Sequence, residues 1–351
     1  MNVRPIRPLP SRRRITTAAV ALAATLGLVT LSACSATGSD GRTEDGKLRV
    51  VTSFYPLEFL AKEIGGDHVD VTSLTKPGVE PHDLELTPKQ TGSLQDAGAI
   101  LYLKGLQPAV DTAIKQSGNK HVADAATMTD LEEHGTEVEG HEHGHGKDAH
   151  GKDEHDEHKE EAKGGEDEHK GHSHDEEGGA DPHVWLDPVK YGEVAKGVAK
   201  TLGEADPDHR ADFDNNAGAL VEKLNALDRK FTAGLKNRTS DTFVTTHAAF
   251  GYLAERYGLD QEAIGGLDPE SEPSAARMKD LHKIAEEHKV STVFFETLAS
   301  PKTARTLAKD LGLKTDVLDP LEGITDNSKG RDYFEVMEAN LTALQKALGT
   351  K

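Results

Sequence analysis

Between residues 48 and 348, short apolar runs alternate with longer stretches whose apolar positions recur every three or four residues. Leu48-Arg49-Val50-Val51-Thr52-Ser53 predicts a strand, and Pro56 to Ile64 a helix that begins near a proline and stops at Gly65-Gly66. Residues 69–74 and 99–103 predict two further strands, Pro88 to Ala97 and Pro108 to Gln116 two helices, and His121-Val122-Ala123 the start of another strand. After a break the pattern resumes at Asp181-Pro182-His183-Val184-Trp185-Leu186-Asp187-Pro188, with helices from Val189 to about Leu202 and from Phe213 to Leu235. Leu220, Leu224, Leu227 and Phe231 give the second of these one apolar stripe. A second alternating series follows: strands at 242–246, 290–295 and 315–318, and helices at 248–257, 274–288, 301–311 and 333–348. Alternation of this kind predicts an α/β protein with mainly parallel sheets. The expected architecture is two Rossmann-like lobes, residues 47–188 and 241–351, joined through a helical region at 189–240 whose long helix is rigid, with a cleft between them.

The break is the most polar part of the chain. Residues 132–180 carry eighteen Asp or Glu against five Lys, a net of −13, leaving −7 for the rest of a chain whose formal charge is −20. The same run holds ten of the eighteen histidines: His134, His141, His143, His145, His150, His155, His158, His169, His172 and His174. It has neither hydrophobic period nor apolar content to offset ordering, so a disordered insertion is expected. Imidazoles among carboxylates point to a borderline divalent cation, held weakly and transiently by the nine histidines from His141 to His174. The negative balance and lack of a basic patch argue against nucleic acid.

The first 34 residues read as an export signal, with arginines at 4, 7, 12, 13 and 14 before an apolar stretch from Ile15 to Leu31. Leu31-Ser32-Ala33-Cys34 has the form of a lipobox, so Cys34 is the expected lipidation site and residues 35–46 a tether. Arg12-Arg13-Arg14 also hints at the twin-arginine route. Cys34 is the only cysteine. Any preorganised metal site must therefore use His, Asp and Glu.

Three histidines outside the acidic run share one context. His82, His183 and His247 each lie at or beyond the carboxyl end of a predicted strand or in the segment that re-enters the fold, where open α/β sheets bind ligands. Singly, each could equally be a surface or hydrogen-bonding residue; together they could meet on one ion. Asp181, Asp187 and Glu85 stand close enough in sequence to accept a second ring N–H and fix a tautomer. Neutral imidazoles with one or two carboxylates suit zinc.

The segments Glu80-Pro81-His82, the histidine-rich run, DPHVWLDP, Thr246-His247-Ala248-Ala249-Phe250-Gly251-Tyr252 and Leu318-Asp319-Pro320-Leu321-Glu322 resemble the zinc-binding lipoproteins of bacterial ABC importers, a metal-receptor family that also serves manganese. The resemblance covers essentially the whole chain after the signal. It implies Zn²⁺ bound as transported substrate between two lobes by His82, His183 and His247, with Glu322 in the fourth position and Glu80 or water as substitute. Glu296, in Phe294-Phe295-Glu296, takes a supporting or merely salt-bridged role. Manganese receptors of the family present a carboxylate where this chain has His247, so zinc is favoured. The resemblance further implies a monomer at the extracytoplasmic face of the cell membrane that delivers zinc to a permease with its cytoplasmic ATPase. A metal-dependent adhesin and a zinc hydrolase are the rival classes. No HExxH and no glycine-rich phosphate loop occurs, and a closed tetrahedron would leave no position for a substrate.

Overall fold

Two four-stranded parallel sheets organise the protein, with strand orders β2-β1-β3-β4 and β6-β5-β7-β8. The computed structural model describes residues 41–135 and 180–350; the export signal with Cys34, and the histidines from His141 to His174, lie outside the described residues. The first sheet contains β1 (Leu48–Thr52), β2 (Val69–Ser73), β3 (Ala99–Tyr102) and β4 (Val122–Asp124). Its helices are α1 (Tyr55–Gly65), α2 (Pro88–Asp96) and α3 (Pro108–Ser117). Then come α4 (Pro188–Ala205) and α5 (Arg210–Gly234). The second sheet contains β5 (Thr242–Thr245), β6 (Asp260–Ala263), β7 (Thr292–Phe295) and β8 (Lys314–Val317). It is flanked by α6 (Gly251–Tyr257), α7 (Ala275–Glu287), α8 (Lys302–Leu311) and α9 (Tyr333–Leu348).

Local chemistry sets the helix starts. Thr87 and Gln90 form a reciprocal capping box at α2, and the Asp187 and Asp332 carboxylates accept the Val189 and Glu335 amides at α4 and α9. In each sheet the order reverses between the first and third strands of its series, which opens a crevice at the strand carboxyl ends.

One continuous apolar cluster crosses from the first sheet to the second. It includes Phe54 and Leu57 at the start of α1, Trp185, Phe231 on α5, Phe243 on β5 and Tyr333 on α9, all buried. Phe54 meets Trp185 edge-on at 5.0 Å. The Trp185 indole N–H donates to the Pro320 carbonyl at 2.7 Å, and the Tyr333 hydroxyl donates to the Trp185 carbonyl at 2.7 Å. Helix α5, 25 residues and so about 37 Å long, packs against α1, α4 and α9. A shared core and a spanning helix make independent motion of the two sheets costly.

Two elements differ from the sequence expectation. Strand β6, Asp260-Gln261-Glu262-Ala263, was not anticipated: it is an edge strand, paired only with β5, and its polar side chains carry no apolar alternation. Helix α6 begins at Gly251 rather than Ala248. Residues Ala248–Phe250 are instead drawn into a buried turn anchored by the Ala248 amide on the Gly266 carbonyl at 2.9 Å.

Candidate metal centre

The four donors come from four separate segments. His82 lies between β2 and α2; His183 caps a single 3₁₀ turn at 184–186; His247 follows β5; Glu322 lies in the loop after β8. That last loop is bent to aim Glu322 inward. Leu321 takes φ 62°, a left-handed conformation uncommon for a residue with a branched side chain, and its amide is held by the Asp319 carboxylate at 2.9 Å. Asn340 of α9 pins Asp319 from both sides, accepting its amide and donating to its carbonyl.

Each of two histidines is oriented by a buried carboxylate. Asp181 Oδ1 takes the His183 amide at 2.9 Å and pairs with His183 Nδ1 at 2.7 Å. Glu296 Oε1 pairs with His247 Nδ1 at 2.9 Å and accepts from the Thr246 hydroxyl at 2.8 Å. With Nδ1 committed in both rings, Nε2 faces the centre. Of the other carboxylates considered from the sequence, Asp187 caps α4 and approaches Arg256 instead, and Glu85 is exposed.

The three Nε2 atoms converge on one oxygen. Glu322 Oε1 lies 3.1 Å from His183, 3.2 Å from His82 and 3.5 Å from His247. A tetrahedral zinc with ligands at 2.0–2.1 Å has ligand-to-ligand edges of roughly 3.3 Å. The three edges that run from Glu322 thus match those of a small tetrahedral ion, and the remaining donor pairs lie within 4.8 Å. Burial supports the same reading: His183 and Glu322 side chains are 0% exposed and His247 2%, leaving His82 at 13% as the open side. His247 Nε2 and Glu322 Oε2 are buried without a hydrogen-bond partner, an arrangement costly in itself and relieved by a cation.

Electrostatics follow from this enclosure. Burial works against ionising Glu322, yet hydrogen bonds with His183 and His82 and the nearby charge of His247 hold its carboxyl well below the usual range. Burial likewise opposes charging His247 and His183, but Glu296 and Asp181 respectively, with Glu322, raise both. The raised proton affinity of both rings sets protons and metal in competition for the same nitrogens. Glu80 stands at the margin: its Oε1 accepts the His82 amide at 3.2 Å, and burial, then the charge of Glu322, pushes its carboxyl up to about 8.

The structure thus brings His82, His183, His247 and Glu322 together, every donor within 4.8 Å of the others, with Glu80 beside rather than among them. The remaining ordered histidines stand apart: His68 and His209 stack at 3.9 Å, and His288 Nδ1 meets the Thr242 hydroxyl at 3.0 Å. His134, which the sequence groups with the acidic run, belongs to the fold. Its ring pairs with Asp181 and Glu255, a placement its polar neighbours in sequence give no sign of.

Residues 50–347 match the family described as zinc-uptake complex component A, periplasmic (ZnuA). The chain belongs to the ZnuA family. It is 38% identical over 339 residues to the high-affinity zinc uptake system protein ZnuA of Bacillus subtilis, covering 93% of this chain and 98% of that protein. It is also 38% identical to the zinc-binding lipoprotein AdcA of Streptococcus pneumoniae, over 93% of this chain but 60% of AdcA, so it spans less than two thirds of that relative. The crystal structure of the Zn(II)-bound ZnuA-like domain of that AdcA superposes with a TM-score of 0.65 at 34% identity, covering 86% of this chain and 99% of the domain. The two-lobe α/β fold expected from the sequence is thus the ZnuA fold.

Proposed function

We propose that this ZnuA-family chain captures one Zn²⁺ outside the cytoplasm and delivers it to a cognate ABC permease driven by a cytoplasmic ATPase. The observation that carries the reading is the convergence of three Nε2 atoms on Glu322 Oε1 at 3.1–3.5 Å, close to the edge length of a tetrahedral zinc site for each of these three pairs. His82, His183, His247 and Glu322 are the proposed ligands; zinc is cargo, not cofactor. Asp181 and Glu296 orient two of the rings. Nearly all the donor atoms are buried, which leaves no open position for a reacting molecule and favours a receptor over a hydrolase.

Zinc would reach the site past His82, the least enclosed donor, releasing protons from His183 and His247 as it binds. Cys34 is the proposed lipid attachment point, the receptor acts as a monomer, and residues 136–179 serve as an auxiliary collector. The shared core and α5 imply modest closure on loading rather than a wide hinge. Competition titration with a chromophoric chelator tests the reading: one tight zinc per chain is expected. A chain that binds zinc no more tightly after correct folding than a free histidine-rich peptide contradicts it.

A further inference from the structure

We infer that Glu132, His134 and Glu255 form a second, outer Zn²⁺ site where the histidine-rich segment joins the folded protein. Their donor atoms lie within 4.8 Å of one another, on a surface distinct from the buried centre. His134 Nε2 is 2.9 Å from Glu255 Oε2 and 3.9 Å from Glu132 Oε2. Lys190 holds the other Glu132 oxygen at 2.6 Å, which leaves Oε2 turned toward the ring.

The histidine is seated, not merely adjacent. Its Nδ1 pairs with Asp181 Oδ2 at 3.0 Å, and Asp181 is fully buried. A histidine whose second nitrogen is fixed by a buried carboxylate is oriented as metal-ligating histidines commonly are. Tyr252 meets the ring edge-on at 4.6 Å, and its hydroxyl accepts the Glu132 amide at 2.8 Å. Space for the ring exists only because residue 251 is glycine: a Cβ there would stand 2.4 Å from His134 Cβ and 2.5 Å from its Cγ. The Asp181 amide donates to the Glu132 carbonyl at 2.8 Å, closing the segment against the fold.

Asp181 therefore serves two histidines with its two oxygens, His183 in the inner centre and His134 in the outer one. The outer donors are more exposed, at 17% for His134, 35% for Glu132 and 60% for Glu255. One imidazole and two carboxylates, completed by water, make a weaker site than three imidazoles and a carboxylate. Such a site can exchange ions with solvent at the foot of the histidine-rich segment. The inference takes only the choice of zinc from the proposed function.

Anomalous diffraction at the zinc edge, on crystals of the full chain with excess Zn²⁺, tests it. Besides an inner peak, a second peak is expected within about 2.2 Å of His134 Nε2 and of an oxygen of Glu255 or Glu132. In Glu255→Gln the outer peak should vanish while the inner one stays. In His134→Asn the outer peak should likewise vanish while the inner one stays. An inner peak without an outer one overturns the inference and spares the proposed function; an outer peak without an inner one does the reverse. An outer peak that persists in both variants also overturns it.

Discussion

Replacing His247 by alanine is the sharpest perturbation of the inner centre that should leave the fold intact. His247 is one of the four proposed donors, and its ring is 2% exposed. Binding of zinc to a four-ligand site with coupled folding is worth about 10–16 kcal/mol, so one ligand carries on the order of 3 kcal/mol. That corresponds to a loss of about 10²-fold in affinity, at 1.4 kcal/mol per tenfold. Truncation also strands Glu296, which keeps only the Thr246 hydroxyl at 2.8 Å among the partners of its Oε1. A buried carboxylate deprived of one partner costs about 1–3 kcal/mol, so the thermal midpoint of the metal-free variant should fall by several degrees while the transition stays cooperative. Affinity is read by competition with a chelator of known strength, and folding by circular dichroism. His282→Ala on α7 serves as a control and should bind as the parent does. Zinc affinity of His247→Ala within threefold of the parent would refute the assignment of this ring as a ligand.

Removing an orienting group without removing a ligand should do less. Asp181→Asn and Glu296→Gln are each expected to weaken zinc about 10–100-fold, measured in the same competition assay. Acidification from pH 7.5 to 5.5 should weaken zinc, because His183 and His247 have raised proton affinities in the metal-free centre; a flat titration would contradict this. Stability of the metal-free protein should move oppositely. The raised histidines stabilise it fully below their unfolded value near 6.5, and that contribution is lost as pH climbs through their folded values. Glu322 and Asp181, held low, contribute above the ordinary carboxylate range and lose it in acid, so metal-free melting should peak between about pH 4.5 and 6.5. Deleting residues 136–179, a cut that spares Glu132 and His134, should leave one tight zinc and remove only weak binding, as calorimetry would show.

Much of this architecture is legible in the sequence because its physical causes are local. The strands β1, β3, β5 and β7 are apolar runs, and proline or a capping threonine or aspartate marks the starts of α1, α2, α3 and α4. His82, His183 and His247 stood out because each falls at a strand end or in the segment re-entering the fold, where α/β sheets gather ligands. What sequence could not show depends on tertiary contact. Strand β6 exists by pairing with β5, not by its own polarity pattern. The late start of α6 follows from the turn that carries His247 toward the centre. His134 looks like one more residue of a polar run, and only the space over Gly251 and the free oxygen of Asp181 distinguish it. Asp181 was readable as one candidate partner among three; geometry selects it over Asp187 and Glu85.

Zinc K-edge absorption spectroscopy on the one-to-one zinc complex, with residues 136–179 deleted, reads the ligand set of the inner centre. Three imidazole nitrogens at about 2.0–2.1 Å and one carboxylate oxygen at about 2.0–2.2 Å are expected, with one imidazole fewer in each of His82→Ala, His183→Ala and His247→Ala. A spectrum with fewer than three imidazoles, or one that none of the three substitutions alters, would contradict it.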